Sequence, residues 1–110
     1  MSEITLVNSA QSTAIDTIEV FYTSPSQGGG TKITAYTAAN NTSSNKSYKG
    51  YIFDSTGTVL DAIVPNRIIV RDRFDPGASI VGQLIPAGGT LRFESSSIAG
   101  ISWRVVGNEL

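Results

Sequence analysis

The sequence predicts an all-β protein, an antiparallel sandwich of two sheets with about eight short strands. Three observations favour this class: apolar residues alternate with polar ones, strong helix formers are scarce, and turns rich in glycine and proline separate the alternating segments. Leucine occupies only five of the 110 positions. Both a jelly-roll and an immunoglobulin-like topology fit this number of strands, and the sequence leaves the two open.

Alternation is clearest in the C-terminal third. In 90–94, Leu91 and Phe93 share one face of a strand, and in 101–105 the single tryptophan, Trp103, shares the inward face with its apolar neighbours. A tryptophan at such a position is expected to pack in the core. Strands are expected near residues 4–8, 16–22, 31–39, 47–53, 58–63, 67–73, 79–84, 90–95 and 101–106.

The segments between the strands carry turn chemistry. A tight turn at 55–58 is expected to join the strands on either side as a hairpin, because Gly57 accepts a positive φ. The segment 24–30 ends in three glycines and is expected to be a flexible connection. A phosphate-loop interpretation fails there, since the required glycine-lysine spacing is absent and no helix follows.

Composition limits the function more than it defines it. The 110 residues form one domain, with 40% hydrophobic residues, 15% charged residues, a net charge of −1, no histidine and no cysteine. Histidine- and cysteine-dependent catalysis and zinc-finger-type sites are thereby excluded. The sequence predicts a protein that is not an enzyme, with no catalytic, cofactor-binding or metal-binding residues. Near-neutral charge argues against nucleic acid as a partner.

Neither a membrane segment nor a leader is expected. The longest apolar run is three residues, for example 68–70, whereas a membrane helix needs about 20. The N-terminus also lacks a basic region followed by an apolar stretch. We therefore expect synthesis in a cytoplasm and no association with a membrane.

The candidate site is a cluster of arginines. All five arginines lie in 67–110, and Arg67, Arg71 and Arg73 precede Phe74. On one strand these three arginines would share a face by parity, and arginine beside an aromatic ring is typical of protein interfaces. The alternative is a solvated strand face whose arginines pair with nearby acids, Asp72, Asp75 or Glu94.

Two weaker patterns have simple structural interpretations. Four tyrosines could line a carbohydrate groove, although tyrosine is also favoured on strands for packing alone: Tyr22, Tyr36, Tyr48 and Tyr51. The acids Asp61, Asp72 and Asp75 lack the ligand spacing of a calcium loop, so we interpret them as solvated or ion-paired.

The C-terminal third also carries a resemblance to known proteins. The turn and strand at 85–93 and the terminal strand at 101–110 resemble the ends of small virion proteins of tailed bacteriophages. The segments 4–9 and 21–25 are similar to the N-terminal portions of those proteins.

This resemblance implies a non-enzymatic phage structural protein, most simply a capsid decoration (cement) protein. Such a protein would bridge and stabilise neighbouring major capsid subunits on the virion surface, as a homo-oligomer with a trimer favoured. Residues 1–12 would form an N-terminal arm in which Ile4 and Leu6 contact a neighbour's sheet edge. The alternative is a tail-fibre module that binds a receptor or glycan through exposed tyrosines.

Overall fold

A computed structural model describes residues 3–71, 73–75 and 79–110, without the side chains of 61–63 and 65. Among these residues there are nine strands: β1 Ile4–Gln11, β2 Glu19–Thr23, β3 Thr31–Asn40, β4 Lys46–Phe53, β5 Val59–Ile69, β6 Phe74–Asp75, β7 Leu84–Ile85, β8 Thr90–Ser95 and β9 Ile101–Glu109. The all-β prediction is confirmed. In this described part of the chain, no helix is long and apolar enough to cross a bilayer.

The strands form two antiparallel sheets that pack as a sandwich. The five-stranded sheet has the order β1-β9-β3-β6, with β7 also paired to β3, and the four-stranded sheet has the order β2-β8-β4-β5. One long hairpin folded over on itself would pair its strands in a fixed way. Those pairs are present here: β1 with β9, β2 with β8, β3 with β6 and β7, and β4 with β5. This is the jelly-roll arrangement. The structure therefore decides between the two topologies that the sequence left open.

Two of the strand assignments expected from the sequence are wrong. The segments 58–63 and 67–73 are not two strands, because β5 continues through Pro65 to Ile69. β5 lies at the edge of its sheet, where a proline without an N–H costs no ladder hydrogen bond. The strand expected at 79–84 is reduced to β7, since Gly82 has a φ of +92° and Gln83 N–H donates to the Ile80 carbonyl in a turn.

The expected hairpin at 55–58 is confirmed. Asp54 N–H donates to the Thr58 carbonyl at 2.9 Å, and Gly57 adopts a φ of +85° between β4 and β5. The Asp54 carboxylate accepts hydrogen bonds from the Thr56 hydroxyl and from the Thr58 N–H, and these bonds lower its pKa. The turn thus satisfies its own backbone groups through a side chain, as aspartate commonly does at this position.

The core lies between the sheets and centres on aromatic rings. Trp103 from β9 stacks on Phe93 from β8, with ring centroids 4.7 Å apart and an interplanar angle of 8°. Phe21 from β2 packs edge-on against both rings. The inward positions predicted for the last two strands are confirmed, because these side chains are fully buried: Leu91, Phe93, Ile101, Trp103 and Val105.

The N-terminal segment belongs to the domain itself. β1 pairs antiparallel with β9 from Ile4↔Gly107 to Gln11↔Ser102, so the described part of the expected arm is an edge strand of the same chain. Two register shifts interrupt this pairing, and Ser9 has a φ of +54°. Bulges of this kind bend an edge strand and make it a poorer template for a neighbouring chain.

The glycine segment is packed against the end of β9 and is not the flexible connection that its composition predicts. Gly28 and Gly30 have φ values of +94° and +91°. Leu110 N–H donates to the Gly30 carbonyl at 2.8 Å, and Gly29 N–H donates to the Leu110 carbonyl at 3.2 Å. A Cβ atom on Gly30 would lie 2.4 Å from the Ile85 carbonyl oxygen. The glycines are therefore required by close backbone contacts and by positive φ.

Candidate partner-binding surface

The turn after β5 is fixed by two asparagines. Asn40, buried at the end of β3, donates from its amide Nδ2 to the Ile69 carbonyl at 2.8 Å, and its backbone N–H donates to the Arg73 carbonyl at 2.9 Å. Arg71 N–H donates to Asn45 Oδ1 at 3.3 Å. β5 and β3 belong to different sheets. These bonds therefore tie the two sheets together where the turn begins and ends.

Large apolar side chains project from this anchored turn. Ile68, Val70 and Phe74 are 68%, 52% and 65% exposed, respectively. Exposed apolar side chains that lie together on a soluble protein are typical of interaction sites. We call this region the arginine surface, and it comprises Arg67, Ile68, Val70, Arg71, Arg73 and Phe74.

A depression of about 250 Å³ lies within the arginine surface. Arg67, Arg73 and Phe74 line it together with Ile68. The structure therefore brings three of the four residues expected at this site to one place. Arg71 is exposed in the adjoining turn, and Asp72 lies outside the described residues. Whether this surface binds a partner stays a prediction.

The expectation that the three arginines share one face of a single strand is wrong, although the residues lie close together. Only Arg67 is on β5, because the strand ends at Ile69, and Arg73 N–H donates to the Val70 carbonyl in the turn that follows. Arg73 returns toward the strand because the chain reverses direction, not because the three arginines alternate on one strand. Ile68 and Val70 also belong to this surface and were not among the residues expected there. The sequence pattern that could have indicated them is that Ile68 and Val70 lie two residues apart, on either side of Ile69, which is buried on an edge strand.

A series of hydrogen bonds that joins Tyr36, Tyr48 and Asp75 lies beneath the arginine surface. The Tyr36 hydroxyl donates to the Tyr48 hydroxyl at 2.7 Å, and the Tyr48 hydroxyl donates to Asp75 Oδ2 at 2.6 Å. Burial raises the pKa of Tyr48, and the hydrogen bond to Asp75 raises it further, while the nearby Arg67 lowers it. Since Asp75 points inward on β6, its neighbour Phe74 points outward, as alternation on a strand requires.

Ile4 and Leu6 do not join the arginine surface. Both are on β1 in the five-stranded sheet, and Ile4 pairs with Gly107 near the opposite end of the sandwich. Leu6 is half-buried and packs against the core, whereas Ile4 is 41% exposed. The six residues expected to contact partners therefore form two separate regions.

The tyrosines do not form one exposed groove. Tyr36 and Tyr48 are buried in the core, so the interpretation of the four tyrosines as stacking platforms is wrong for these two. The Tyr22 and Tyr51 rings are half-buried, and their hydroxyls donate to Glu109 and Glu94, respectively. Burial, followed by the hydrogen bond to Glu109, raises the pKa of Tyr22 to about 12.

A second surface feature lies on the outer face of the four-stranded sheet. The Arg92 guanidinium lies 3.9 Å from the centre of the Phe53 ring, in a cation–π arrangement, and Arg92 Nε donates to Thr90 Oγ1 at 2.8 Å. Tyr51 lies beside Phe53, with ring centroids 6.2 Å apart. Arg92 thus occupies one face of the Phe53 ring.

The described residues bring together no group of three histidine, cysteine or carboxylate side chains that could hold a metal ion. The Asp61 side chain and Asp72 lie outside what the structure describes, so the interpretation of these acids stays a prediction. The same holds for the expected absence of catalytic and cofactor-binding residues. Comparison with family models, curated proteins and solved structures gives no match for this chain.

Proposed function

We propose that this chain is a non-enzymatic structural protein of a phage virion, a capsid decoration (cement) protein that bridges and stabilises neighbouring major capsid subunits. The observation that carries the proposal is the arginine surface, an anchored turn that presents exposed apolar side chains among arginines. Burial of such residues against a partner is the usual source of affinity at protein interfaces.

The fold supports a role in assembly. Jelly-roll sandwiches occur widely in viral capsid domains, although a fold alone does not establish a function. The aromatic core and the hydrogen bonds between the sheets make a stiff unit. A stiff unit loses little conformational entropy on docking, so more of the contact energy appears as affinity. The resemblance to phage virion proteins supplies the identity of the partner.

We further propose that the protein acts as a homo-oligomer, with a trimer favoured. Several copies that engage several capsid subunits gain avidity, so each contact can be modest. β1 is the accessible edge of the five-stranded sheet, but its two register shifts argue against a long continuous pairing with a neighbouring chain. Contacts between faces or ends of the sandwich are the better route to such an oligomer.

The glycan-binding alternative loses support from the positions of the tyrosines. Two of its four proposed platforms, Tyr36 and Tyr48, are buried. The hydroxyls of the other two, Tyr22 and Tyr51, already donate hydrogen bonds to Glu109 and Glu94, respectively. We therefore propose the capsid role alone.

The test mixes the purified protein with empty capsids of the phage that carries its gene. Sedimentation of the capsids should bring the protein down until a fixed ratio of protein to capsid subunit is reached. Light scattering of the free protein should give the mass of a trimer. A protein that stays in the supernatant at every concentration, while binding host cells or glycans, would contradict the capsid role.

A further inference from the structure

The arginine surface combines exposed apolar side chains with arginines. Among the side chains that the structure describes, Ile68 and Phe74 are the two most exposed large apolar ones, at 68% and 65%, and both line the depression. Arg67 and Arg73 line the same depression, together with Asp75, whose carboxylate accepts a hydrogen bond from the Tyr48 hydroxyl. A ligand that satisfies the two apolar side chains and the two arginines must offer both an apolar group and negative charge.

Charge at this surface favours an acidic partner over a second copy of the chain. Segment 67–75 holds three arginines and two aspartates, so its net charge is +1. Two copies meeting through this surface would oppose like charges, which is costly at an interface. A guanidinium instead binds a carboxylate through two parallel hydrogen bonds.

The size of the depression limits the form of the ligand. Its volume of about 250 Å³ admits one large apolar side chain with its flanking backbone. An α-helix, about 10–12 Å across, would lie over the depression and insert only a side chain, whereas an extended segment also brings its backbone and flanking carboxylates close to Arg67 and Arg73. Nucleic acid is a poorer fit, because its phosphates would pair with the arginines but leave the exposed apolar side chains in contact with water.

We propose that the arginine surface binds an extended acidic segment of a partner protein, which inserts one apolar side chain between Ile68 and Phe74 and places carboxylates beside Arg67 and Arg73. This inference rests on the proposed function only for the identification of the partner as a capsid subunit. The hydrogen bond from Asn40 to Ile69 and the hydrogen bonds that join Tyr36, Tyr48 and Asp75 fix the position of this surface before the segment binds.

The test uses the whole chain and a blocked peptide of alternating glutamate and leucine, with a lysine-and-leucine peptide of equal length as the control. In NMR titrations, the acidic peptide should shift the backbone amide signals of Ile68, Arg73 and Phe74 in a saturable manner, and the basic peptide should not. Raising the salt from about 0.1 M to about 1 M shortens the screening length from about 10 Å to about 3 Å, so the acidic peptide should bind more weakly.

Charge reversal supplies the matched variants. Arg67→Glu together with Arg73→Glu should weaken binding of the acidic peptide at least about tenfold. Arg104→Glu is the control, because Arg104 is exposed on β9 in the other sheet, where its Nη1 donates to Asn8 Oδ1. This control should bind the peptide as the original protein does. Equal binding by all variants, shifts confined to another surface, or tighter binding of a single-stranded DNA oligonucleotide would overturn the inference.

Capsids then separate this inference from the proposed function. If the original protein binds empty capsids while the Arg67→Glu, Arg73→Glu variant does not, both proposals are supported. If the reversed variant binds capsids as well as the original, the inference is wrong and the capsid role stands. If the peptide binds this surface but capsids do not bind at all, the capsid role is wrong and the inference stands.

Discussion

The two ends of the sandwich are built on opposite principles. At one end, Gly28 and Gly30 lie against the backbones of Leu110 and Ile85, with no room for side chains. At the other end, the turn after β5 is held by one hydrogen bond that Asn40 donates and one that Asn45 accepts, and the side chains of the turn project into solvent. We call the first region the glycine clamp, to contrast it with the arginine surface.

The comparison separates residues required by the fold from residues available for contact. In the glycine clamp the backbone leaves no choice of side chain, so substitutions there should act on stability. In the arginine surface, Asn40, Asn45 and Asp75 anchor the backbone, and the projecting side chains contribute little to stability. Changes to those side chains should act on binding and leave stability nearly unaltered.

The largest expected effect is in the glycine clamp. Gly30→Ala places a Cβ 2.4 Å from the Ile85 carbonyl oxygen at a φ of +91°, and we expect it to lower the free energy of unfolding by about 3 kcal/mol. Urea unfolding followed by tryptophan fluorescence measures this. Gly57→Ala is the matched control, because Gly57 has a φ of +85° but nothing within 4 Å. It should cost about 1 kcal/mol, and equal losses would show that close contact is not what the clamp requires.

A smaller effect is expected beneath the arginine surface. Tyr48→Phe removes the hydroxyl that accepts from Tyr36 and donates to Asp75, and we expect a loss of about 2 kcal/mol in stability. Tyr51→Phe removes one hydrogen bond to Glu94 near the surface and should cost about 0.5 kcal/mol. Denaturant unfolding of both variants checks this order. A Tyr48 variant as stable as the Tyr51 variant would mean that the buried hydrogen bonds do not anchor this end.

The contribution of Tyr22 to stability is tested at alkaline pH. Its hydroxyl forms hydrogen bonds with Glu109 and with Thr31 at the start of β3. Its pKa is raised to about 12, whereas an unfolded tyrosine has a pKa of about 10. The stabilisation that depends on the protonated Tyr22 is therefore complete below pH 10 and is lost as pH rises toward 12. Tyr22→Phe should make the unfolding free energy fall less steeply across that range, as measured by urea unfolding at successive pH values. An unchanged slope would refute this.

The smallest effect on stability is expected from the exposed arginines. Replacing Arg67, Arg71 and Arg73 together with alanine should change the unfolding free energy by less than about 0.5 kcal/mol. The same variant should lose binding to empty capsids, measured by cosedimentation. If the triple variant unfolds readily, the arginines belong to the fold, and the distinction between the two ends fails.

Much of the fold could be predicted from local pattern. Period-two alternation identified the inward faces of β8 and β9, and Gly57 marked the hairpin between β4 and β5. Composition was a poorer guide to the glycine segment, because a glycine needed for close packing and a glycine in a loose connection look the same in a sequence. The break expected between 58–63 and 67–73 is absent, because the edge position of β5 lets the strand continue through Pro65.

The candidate site was predicted in part. Arginine and phenylalanine in one short segment indicated an interface, and Arg67, Arg73 and Phe74 do line one depression. Ile4 and Leu6 lie elsewhere, since the pairing of β1 with β9 is a contact between the two ends of the chain. The sequence could not distinguish the buried tyrosines from the half-buried ones, because the burial of each ring depends on which strand of the folded protein covers it.

The sequence by itself determined the all-β class, the core faces of the last two strands and the turn chemistry, because these depend on neighbours within a few residues. Only the tertiary structure decided the jelly-roll order, the tight packing of the glycine segment and the grouping of exposed apolar side chains with arginines. Those features depend on contacts between residues far apart in the chain, and the spacing of residues along a strand carries no record of them.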